Sequence, residues 1–231
     1  MTDLIVPNHI GYIVDGNRRW ARKHGLPNYE GHLAGYSAVN EVVTATFESG
    51  VKYISAYIFS TENWKRSQEE VNKLMGLMLK LLTSDLPIFV KNNIRLVILG
   101  SRENVDQRII KAIDNAESVT AKNTAGTLAI CFNYGGQYEI VEAVRKIVKS
   151  GVKAKDVDLE LISKNLYGGT DIPPVDIVVR TSGEQRLSNF MLWRVAYSEM
   201  LFLEKMWPDM RKEDVDDIIK EYSKRSRRFG G

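Results

Sequence analysis

Six short apolar or β-branched runs, most of them separated by segments with helical periodicity, constrain the fold of this chain more than any other feature. Each run has the length and composition of a buried strand. Strands that alternate with helices form parallel sheets, because the helix returns the chain to the edge where the next strand begins. The sequence therefore predicts an α/β fold with a central, mostly parallel, six-stranded sheet flanked by helices. The predicted strands are residues 9–14, 53–59, 94–99, 127–132, 176–179 and 200–203.

The chain is predicted to form a single domain over residues 1–231. Hydrophobic residues make up 44% of its 231 positions, enough to bury one large core or two small ones. No linker, repeat or low-complexity tract interrupts the sequence, and this continuity favours one core.

Charge, cysteine content and hydropathy limit the possible functions. The net charge of +3 is too small to indicate a nucleic-acid partner by itself. Cys131 lies in an apolar run and is predicted to be a buried structural thiol rather than a nucleophile. The first residues lack the features of a signal peptide, and no stretch approaches the ~18 apolar residues of a membrane span. We therefore expect a cytoplasmic protein.

Residues 69–92 are apolar on most helical faces, so this segment is predicted to be covered all round. Two interpretations remain open: a core helix between neighbouring elements, or a helix that lines a channel for an apolar ligand. Pro87 is predicted to kink or divide the segment.

Polar clusters follow four of the predicted strands. Ligands of open α/β sheets bind beyond the carboxyl ends of the strands, so these clusters are predicted to meet at one site. The clusters begin at Asp15, Ser60, Asn133 and Arg180.

The cluster that begins at Asp15 is typical of a diphosphate and magnesium site. Gly16 lets the backbone approach a ligand closely, and the following helix would direct the amides of Asn17, Arg18 and Arg19 at an anion. Mg²⁺ usually takes one or two protein carboxylates and completes its shell with water and phosphates. Asp15 is thus a candidate magnesium ligand, although an isolated aspartate here could also be a helix cap.

Two further features complete the predicted site. Arg180 and Arg186 flank a glycine turn with hydroxyls beside them, among them Ser188, and such a loop can clamp a second diphosphate or remain a solvated loop. Glu199, directly before the sixth strand, is a candidate second carboxylate for the metal or a charge that only ends a helix.

Together these motifs resemble the cis-prenyltransferases, the family of undecaprenyl diphosphate synthase and dehydrodolichyl diphosphate synthase. The resemblance covers nearly the whole chain in family order, and the combination is specific where one motif would be weak. It rests on residues 9–20, Gly31, His32, Ala34, Gly35, residues 59–66, 133–136 and 180–199, Trp207, Pro208 and residues 228–230.

The resemblance implies a magnesium-dependent enzyme that condenses isopentenyl diphosphate onto an allylic diphosphate, forms a Z double bond and releases pyrophosphate. It also implies an apolar tunnel for the growing chain and a homodimer. Asp15 and Glu199 would hold Mg²⁺, and His32, Ser60 and Asn63 would shape proton removal and departure of the leaving group.

The other implied roles concern substrate binding. The allylic diphosphate would be held by Gly16, Asn17, Arg18, Arg19 and Arg66, with Trp20, Glu62 and Trp64 nearby and Trp64 stacked near the allylic chain. Isopentenyl diphosphate would be held by Arg180, Arg186 and Ser188, with Arg19 between the two substrates. Arg228 and Gly230 belong to a tail that would reach a partner subunit's site.

Three positions depart from the common family pattern. Asn28 stands where an arginine often contacts the allylic diphosphate, so Arg66 and the helix amides would carry more of that binding. Ile58 replaces a small alanine, and its bulk would narrow the upper tunnel and favour a shorter or more selective product. Ser67 replaces a frequent proline, a change expected to be neutral.

Rival functions fit the sequence less well. An all-α trans-prenyltransferase needs two aspartate-rich DDxxD motifs, and the pair Asp216-Asp217 does not form one. A non-catalytic or regulatory subunit of a cis-prenyltransferase complex is the alternative, but such subunits have lost catalytic residues that this chain retains. Nucleic-acid binding is not expected. A long polyprenyl product cannot remain in water, so transient contact with a membrane surface is expected.

Overall fold

A computed structural model describes residues 4–225 as a single α/β domain built on one six-stranded sheet. All neighbouring strand pairs of this described part are parallel, and the strand order is 3-4-2-1-5-6. The strands are β1 His9–Ile13, β2 Tyr53–Ser60, β3 Ile94–Leu99, β4 Gly126–Tyr134, β5 Ile177–Arg180 and β6 Glu199–Phe202. The predicted fold class and the six strands are confirmed.

Helices cover both faces of the sheet, which explains why its central strands are apolar throughout rather than alternating. Every residue of β1 is buried. The helices are α1 Asn17–Lys23, α2 Asn28–Glu48, α3 Gln68–Leu82, α4 Leu86–Lys91, α5 Gln107–Thr120, α6 Gly136–Lys149, α7 Leu159–Asn165 and α8 Lys212–Ser223.

Local sequence signals set the ends of the two helices nearest the site. The helix α2 ends at Glu48 with Ser49 as its cap residue, and Gly50 then takes a φ of 95°, a left-handed conformation that favours glycine. The Ser67 hydroxyl accepts a hydrogen bond from the Glu70 amide at 3.3 Å and caps α3. The replacement of proline by Ser67 therefore supplies a cap.

The segment 69–92 differs from its prediction in one respect. Pro87 does divide it, because α4 begins around Pro87 in its first turn, where the missing amide proton costs no hydrogen bond. The expectation that the segment is covered all round was wrong: Ile88 and Val90 are 46% and 43% exposed. The fully buried residues of α3 are Val71, Met78, Leu81 and Leu82, whereas Gln68, Glu69, Asn72 and Lys80 are exposed.

The core also contains the single cysteine of the chain. Cys131 is fully buried in β4, and burial raises the pKa of its thiol well above the ordinary value. It is a structural thiol, as predicted. No helix within residues 4–225 is long and apolar enough to cross a membrane.

Candidate active site

A polar cleft of about 560 Å³ lies beyond the carboxyl ends of β1, β2 and β5. Clusters that are far apart in sequence meet there because parallel neighbouring strands end at the same edge of the sheet. The predicted site residues that line it are Asp15, Asn17, His32, Ser60, Glu62, Asn63, Arg66, Arg180 and Ser188, joined by Tyr57, Ile58, Leu74 and Asn189.

The cluster at Asn133 lies behind this cleft instead of lining it. The side-chain amide of Asn133 donates to the Ser101 and Glu103 carbonyls. The next residues support the cleft indirectly, since the Gly136 amide donates to the Asn189 carbonyl at 2.7 Å. Three of the four predicted clusters therefore form the cleft, and the fourth positions Asn189.

Asp15 is held as a carboxylate at the centre of the cleft. Its Oδ2 accepts a hydrogen bond from Arg180 Nη2 at 2.9 Å and lies 3.2 Å from Arg19 Nη2. Partial burial opposes ionisation, but the hydrogen bond and charge of Arg180, with help from the Gly16 amide and Arg19, keep the pKa of Asp15 below its usual value. Thr181 Oγ1 fixes the backbone by donating to the Asp15 carbonyl at 2.6 Å.

Gly16 makes the sharp turn from β1 into α1. Its φ of 106° lies in the region that favours glycine, and a Cβ there would lie 2.8 Å from Ser182 Oγ. The amides of the first turn of α1 have no partner within the helix and carry partial positive charge. The predicted glycine turn into a helix N-terminus is therefore present, and its binding of an anion stays a prediction.

Arg180 is the most rigidly held cation of the site. It is 4% exposed, and its Nη1 donates to Ser188 Oγ at 2.8 Å. Its Nη1 also donates to the Arg186 carbonyl. Its buried Nε has no hydrogen-bond partner among the described residues. A buried donor without a partner costs free energy, so Nε is an unmet hydrogen-bond donor in the wall of the cleft.

Glu70 forms a counter-charge cluster that the sequence did not indicate. Its Oε1 lies 3.0 Å from Arg66 Nη1, 3.1 Å from His32 Nε2 and 3.9 Å from Arg18 Nε. The one available signal was the four-residue spacing from Arg66, which is common on solvated helices. The structure shows that an anion entering here would compete with this carboxylate for Arg66 and Arg18.

A second carboxylate, Glu184, pairs with the arginines on the other side of the cleft. Its Oε1 accepts from Arg19 Nη1 at 2.9 Å, and its Oε2 accepts from the half-exposed Arg186. Arg19 and Arg186 are thus both paired with Glu184, whereas Arg18 pairs with Glu70, and all three side chains stay partly exposed.

His32 lies between the cleft and the apolar core, where burial lowers the pKa of its ring. The charges of Arg66 and Arg18 act in the same direction, while Glu70 opposes them. His32 is therefore neutral near neutral pH and able to accept a proton or a hydrogen bond.

Ser60 and Asn63 are held together at the end of β2. The Asn63 side-chain oxygen accepts from the Ser60 amide at 3.2 Å, forming a reciprocal cap for the turn Thr61–Lys65. The side chain of Glu62, in the same turn, accepts a hydrogen bond from Asn189 Nδ2 at 3.2 Å. The turn therefore presents polar side chains to the cleft in a fixed arrangement.

A narrow apolar cavity of about 60 Å³ adjoins the cleft between α2, α3 and the sheet. Val14, Asn17, His32, Ile58 and Leu74 line both spaces, so the two are adjacent at these residues. The inner face of α3 contributes Leu74, Leu77, Met78 and Leu81 to the cavity wall. Met78 and Leu81 also belong to the core, as the first interpretation of this segment predicts, while a channel for an apolar ligand stays a prediction.

Comparison with known proteins decides the family. The family model described as "Putative undecaprenyl diphosphate synthase" matches residues 13–230. The chain belongs to the undecaprenyl diphosphate synthase family. An isoprenyl transferase of Fusobacterium nucleatum is 44% identical over 226 residues, which cover 98% of this chain and 96% of that relative.

Solved structures of the same kind share the fold. Lavandulyl diphosphate synthase from Lavandula x intermedia, solved with dimethylallyl diphosphate, matches with a TM-score of 0.94 and 32% identity over 98% of this chain and 99% of that one. A "probable undecaprenyl diphosphate synthase" from Campylobacter jejuni matches with a TM-score of 0.81 and 28% identity over both whole chains. The chain has the function of a cis-prenyltransferase, and a non-catalytic subunit is not favoured.

Two tryptophans of the family pattern lie away from the cleft. Trp20 Nε1 donates to Asp209 Oδ1 at 2.7 Å, and its ring lies against His24. Trp64 packs edge-on against Phe59 and donates to Asn133 Oδ1 at 2.8 Å. Neither lines the cleft or the cavity, so contact with a substrate would require the indole to rotate. The sequence gives the position of these rings but not their direction.

Glu199 lies at the opposite edge of the sheet from Asp15. It opens β6 and pairs in register with Ile177 at the start of β5, whereas Asp15 follows the end of β1. Its carboxylate pairs with Arg225 Nη1 at 3.0 Å. Within one chain, Asp15 and Glu199 therefore do not form a common metal site. Arg228 and Gly230 lie outside the described residues.

The donor set suits a cation that takes most of its ligands from substrate. Within residues 4–225, no group of three or more His, Cys, Asp or Glu side chains could hold a metal ion alone. Mg²⁺ needs only one or two carboxylates when phosphates supply the rest, and Asp15 offers an ionised carboxylate in the cleft.

Proposed function

We propose that the cleft condenses isopentenyl diphosphate with an allylic diphosphate primer to make a Z-polyprenyl diphosphate. The observation that carries this proposal is the contact of Asp15 with Arg19 and Arg180, in a cleft that Arg66 also lines and that adjoins an apolar cavity. The arginines suit two diphosphates, and the cavity suits a hydrocarbon chain. The structure of the lavender relative with dimethylallyl diphosphate supports an allylic diphosphate as one ligand.

The reaction requires three changes of bonding. The C1–O bond of the allylic substrate breaks and pyrophosphate departs with the electron pair. The double bond of isopentenyl diphosphate attacks C1 through C4, and loss of a proton from C2 creates the new Z double bond. The protein therefore needs groups that stabilise charge on the departing diphosphate and groups that orient both substrates.

Arg66, Arg18 and the first-turn amides of α1 hold the allylic diphosphate in this proposal. Arg66 and Arg18 both lie at Glu70 Oε1, and this carboxylate supports the proposal that the two cations can share one anion. As the C–O bond breaks, the same donors stabilise the growing negative charge of the leaving group.

Arg180, Arg186 and Ser188 hold isopentenyl diphosphate on the other side of Asp15. Arg180 is preorganised by Ser188 and Asp15, so little conformational freedom remains to be lost on binding. Arg19 lies between the two groups and can contact either diphosphate. His32, neutral in this environment, and the capped pair Ser60 and Asn63 position the region where the proton leaves.

Magnesium is proposed as the cofactor, held by Asp15. Bound there with the substrate phosphates, the ion supplies Lewis-acid stabilisation of the leaving diphosphate. Because Asp15 and Glu199 lie at opposite strand ends of the sheet within one chain, the second carboxylate would come from another copy in a homodimer. The tail with Arg228 and Gly230 would likewise reach the partner's site.

We also propose a cytoplasmic location with transient contact at a membrane surface. A polyprenyl chain that outgrows the cavity exposes apolar surface that water disfavours and lipid accepts.

One assay tests the proposed reaction. The purified chain is incubated with Mg²⁺, labelled isopentenyl diphosphate and one allylic primer at a time, from dimethylallyl to geranylgeranyl diphosphate. Dephosphorylated products are then separated by chromatography. We expect label in products longer than the primer and none when primer is omitted. Failure to incorporate label with any primer would contradict the proposal and favour the non-catalytic subunit.

A further inference from the structure

Tyr36 is the large side chain on the α2 wall of the apolar cavity. At the cleft end of this wall, His32 is followed one turn later by Gly35, where a Cβ would lie 2.3 Å from Asn17 Oδ1. Tyr36 follows Gly35, and it lines the cavity but not the cleft. The free width of the cavity therefore depends on where this ring lies.

Two groups at the junction of α3 and α4 hold the ring of Tyr36. Its hydroxyl donates a hydrogen bond to Asp85 Oδ2, in the residue that precedes α4. The Lys80 ammonium lies 4.9 Å from the ring centroid, a cation–π distance. Burial, and then the Asp85 carboxylate, raise the pKa of Tyr36 above its ordinary value, so the phenol keeps the proton that it donates.

Two polar contacts link α2 to α3 and to the residue that precedes α4. Near the cleft, α2 and α3 are joined by His32 and Glu70, at the start of α3. The second contact joins Tyr36 of α2 to Asp85, which lies between α3 and α4. The apolar cavity residues of α3 lie between these two polar contacts, and they are Leu74, Leu77, Met78 and Leu81.

We propose that Tyr36, held by Asp85, narrows the cavity beyond the residues shared with the cleft and sets the length of the product. A chain growing from the cleft elongates by C5 units until its hydrocarbon end meets the phenol ring. The next condensation then has to displace a ring held by a hydrogen bond and by Lys80, so release of the product becomes faster than extension. This inference rests on the proposed function and assigns the termination step to one side chain.

Product length is the first test, with labelled isopentenyl diphosphate and the primer that the wild type uses best. Tyr36→Ala and the more conservative Tyr36→Leu are expected to shift the main product by at least one C5 unit. Asp85→Ala removes the hydrogen bond that holds the Tyr36 ring, so longer products are expected alongside the wild-type product. Asp85→Asn keeps an oxygen acceptor and is expected to retain the wild-type length.

Tyr29→Ala is the matched control. Tyr29 lies on the same helix seven residues earlier, its ring also lies near a lysine, Lys73 at 5.1 Å, and it lines a groove outside the cavity. It is expected to leave product length unchanged. The inference is overturned if folded, active Tyr36→Ala and Tyr36→Leu both make the wild-type product, or if Tyr29→Ala lengthens it equally.

A second measurement separates this inference from the proposed reaction. Melting temperatures are recorded with polyprenyl alcohols of increasing length. Stabilisation of the wild type should stop rising at a shorter alcohol than that of Tyr36→Leu. An inactive wild type that still shows this difference would refute the reaction alone, whereas identical length profiles would refute the role of Tyr36.

Discussion

Arg180 Nη2 lies 2.9 Å from Asp15 Oδ2, although the two residues are 165 positions apart in the chain. They meet because β1 and β5 are parallel neighbours and pair Ile13 with Arg180 at their carboxyl ends. An anionic and a cationic group thus share one sheet edge, and Arg180 helps to keep the pKa of Asp15 below its usual value. A site for metal-bound diphosphate needs both charges close together.

Ile58 is expected to restrict the product from the cleft end of the cavity. It lines both the cleft and the cavity, where it replaces the small residue common in the family pattern. Ile58→Ala should widen the passage and give longer products, as measured by chromatography after dephosphorylation. No change in product length would refute this role. Its contribution is separable from that of Tyr36, since only Ile58 borders the cleft.

His9 is expected to make the fold sensitive to acid. Its ring is fully buried between Ser55 Oγ and the Pro173 carbonyl, each 2.9 Å from a ring nitrogen. Burial lowers the pKa of His9 to about 4, so the unfolded chain takes up a proton more readily than the folded one. The stability that neutral His9 confers is complete above about pH 6.5 and is lost as the pH falls toward 4.

The size of this effect follows from the linkage of about 1.4 kcal/mol per pH unit. Urea unfolding should show that the wild type loses roughly 2 kcal/mol more than His9→Gln between about pH 7 and pH 5. Other groups titrate in both proteins, so the difference isolates His9. A constant gap across this range would contradict the prediction.

Glu139 and Arg194 form a buried ion pair behind the cleft. Their side chains are 1% and 3% exposed, and Arg194 Nη1 lies 2.8 Å from Glu139 Oε1. Arg194→Met leaves a buried carboxylate without its partner and should cost roughly 3–5 kcal/mol of unfolding free energy. In a Glu139→Gln background the same change should cost clearly less. A double-mutant cycle by urea unfolding checks this, and additive costs would show that the pair is not coupled.

The sequence predicted the strands because each is a short β-branched run bounded by turns. It also predicted most of the cleft, since ligands bind where parallel strands end. The same rule should have separated Glu199 from Asp15: Glu199 begins its strand, and the start of a strand lies at the opposite edge. The resemblance grouped the two residues by role, whereas topology places them apart within one chain.

Side-chain direction was the part that the sequence could not supply. In the sequence, Glu70 is an ordinary acidic residue in the first turn of a helix, a position where the helix dipole favours negative charge. Its role at the arginines depends on how α3 packs beside α1 and α2. In the same way, the motif positions of Trp20 and Trp64 do not reveal that both indoles are engaged outside the cleft. These features are set by tertiary packing rather than by local pattern.

The most direct test of the proposed site is the turnover of Asp15→Ala as a function of Mg²⁺ concentration. The control is Asp171→Ala, which removes a carboxylate paired with Arg95 on the surface and should behave as the wild type. Pyrophosphate release is followed with isopentenyl diphosphate and the best primer, and circular dichroism checks the fold. We expect Asp15→Ala to be folded and at least roughly 10²-fold slower, the loss typical of a missing electrostatic stabiliser. A folded variant with wild-type turnover that no longer needs magnesium would contradict the account.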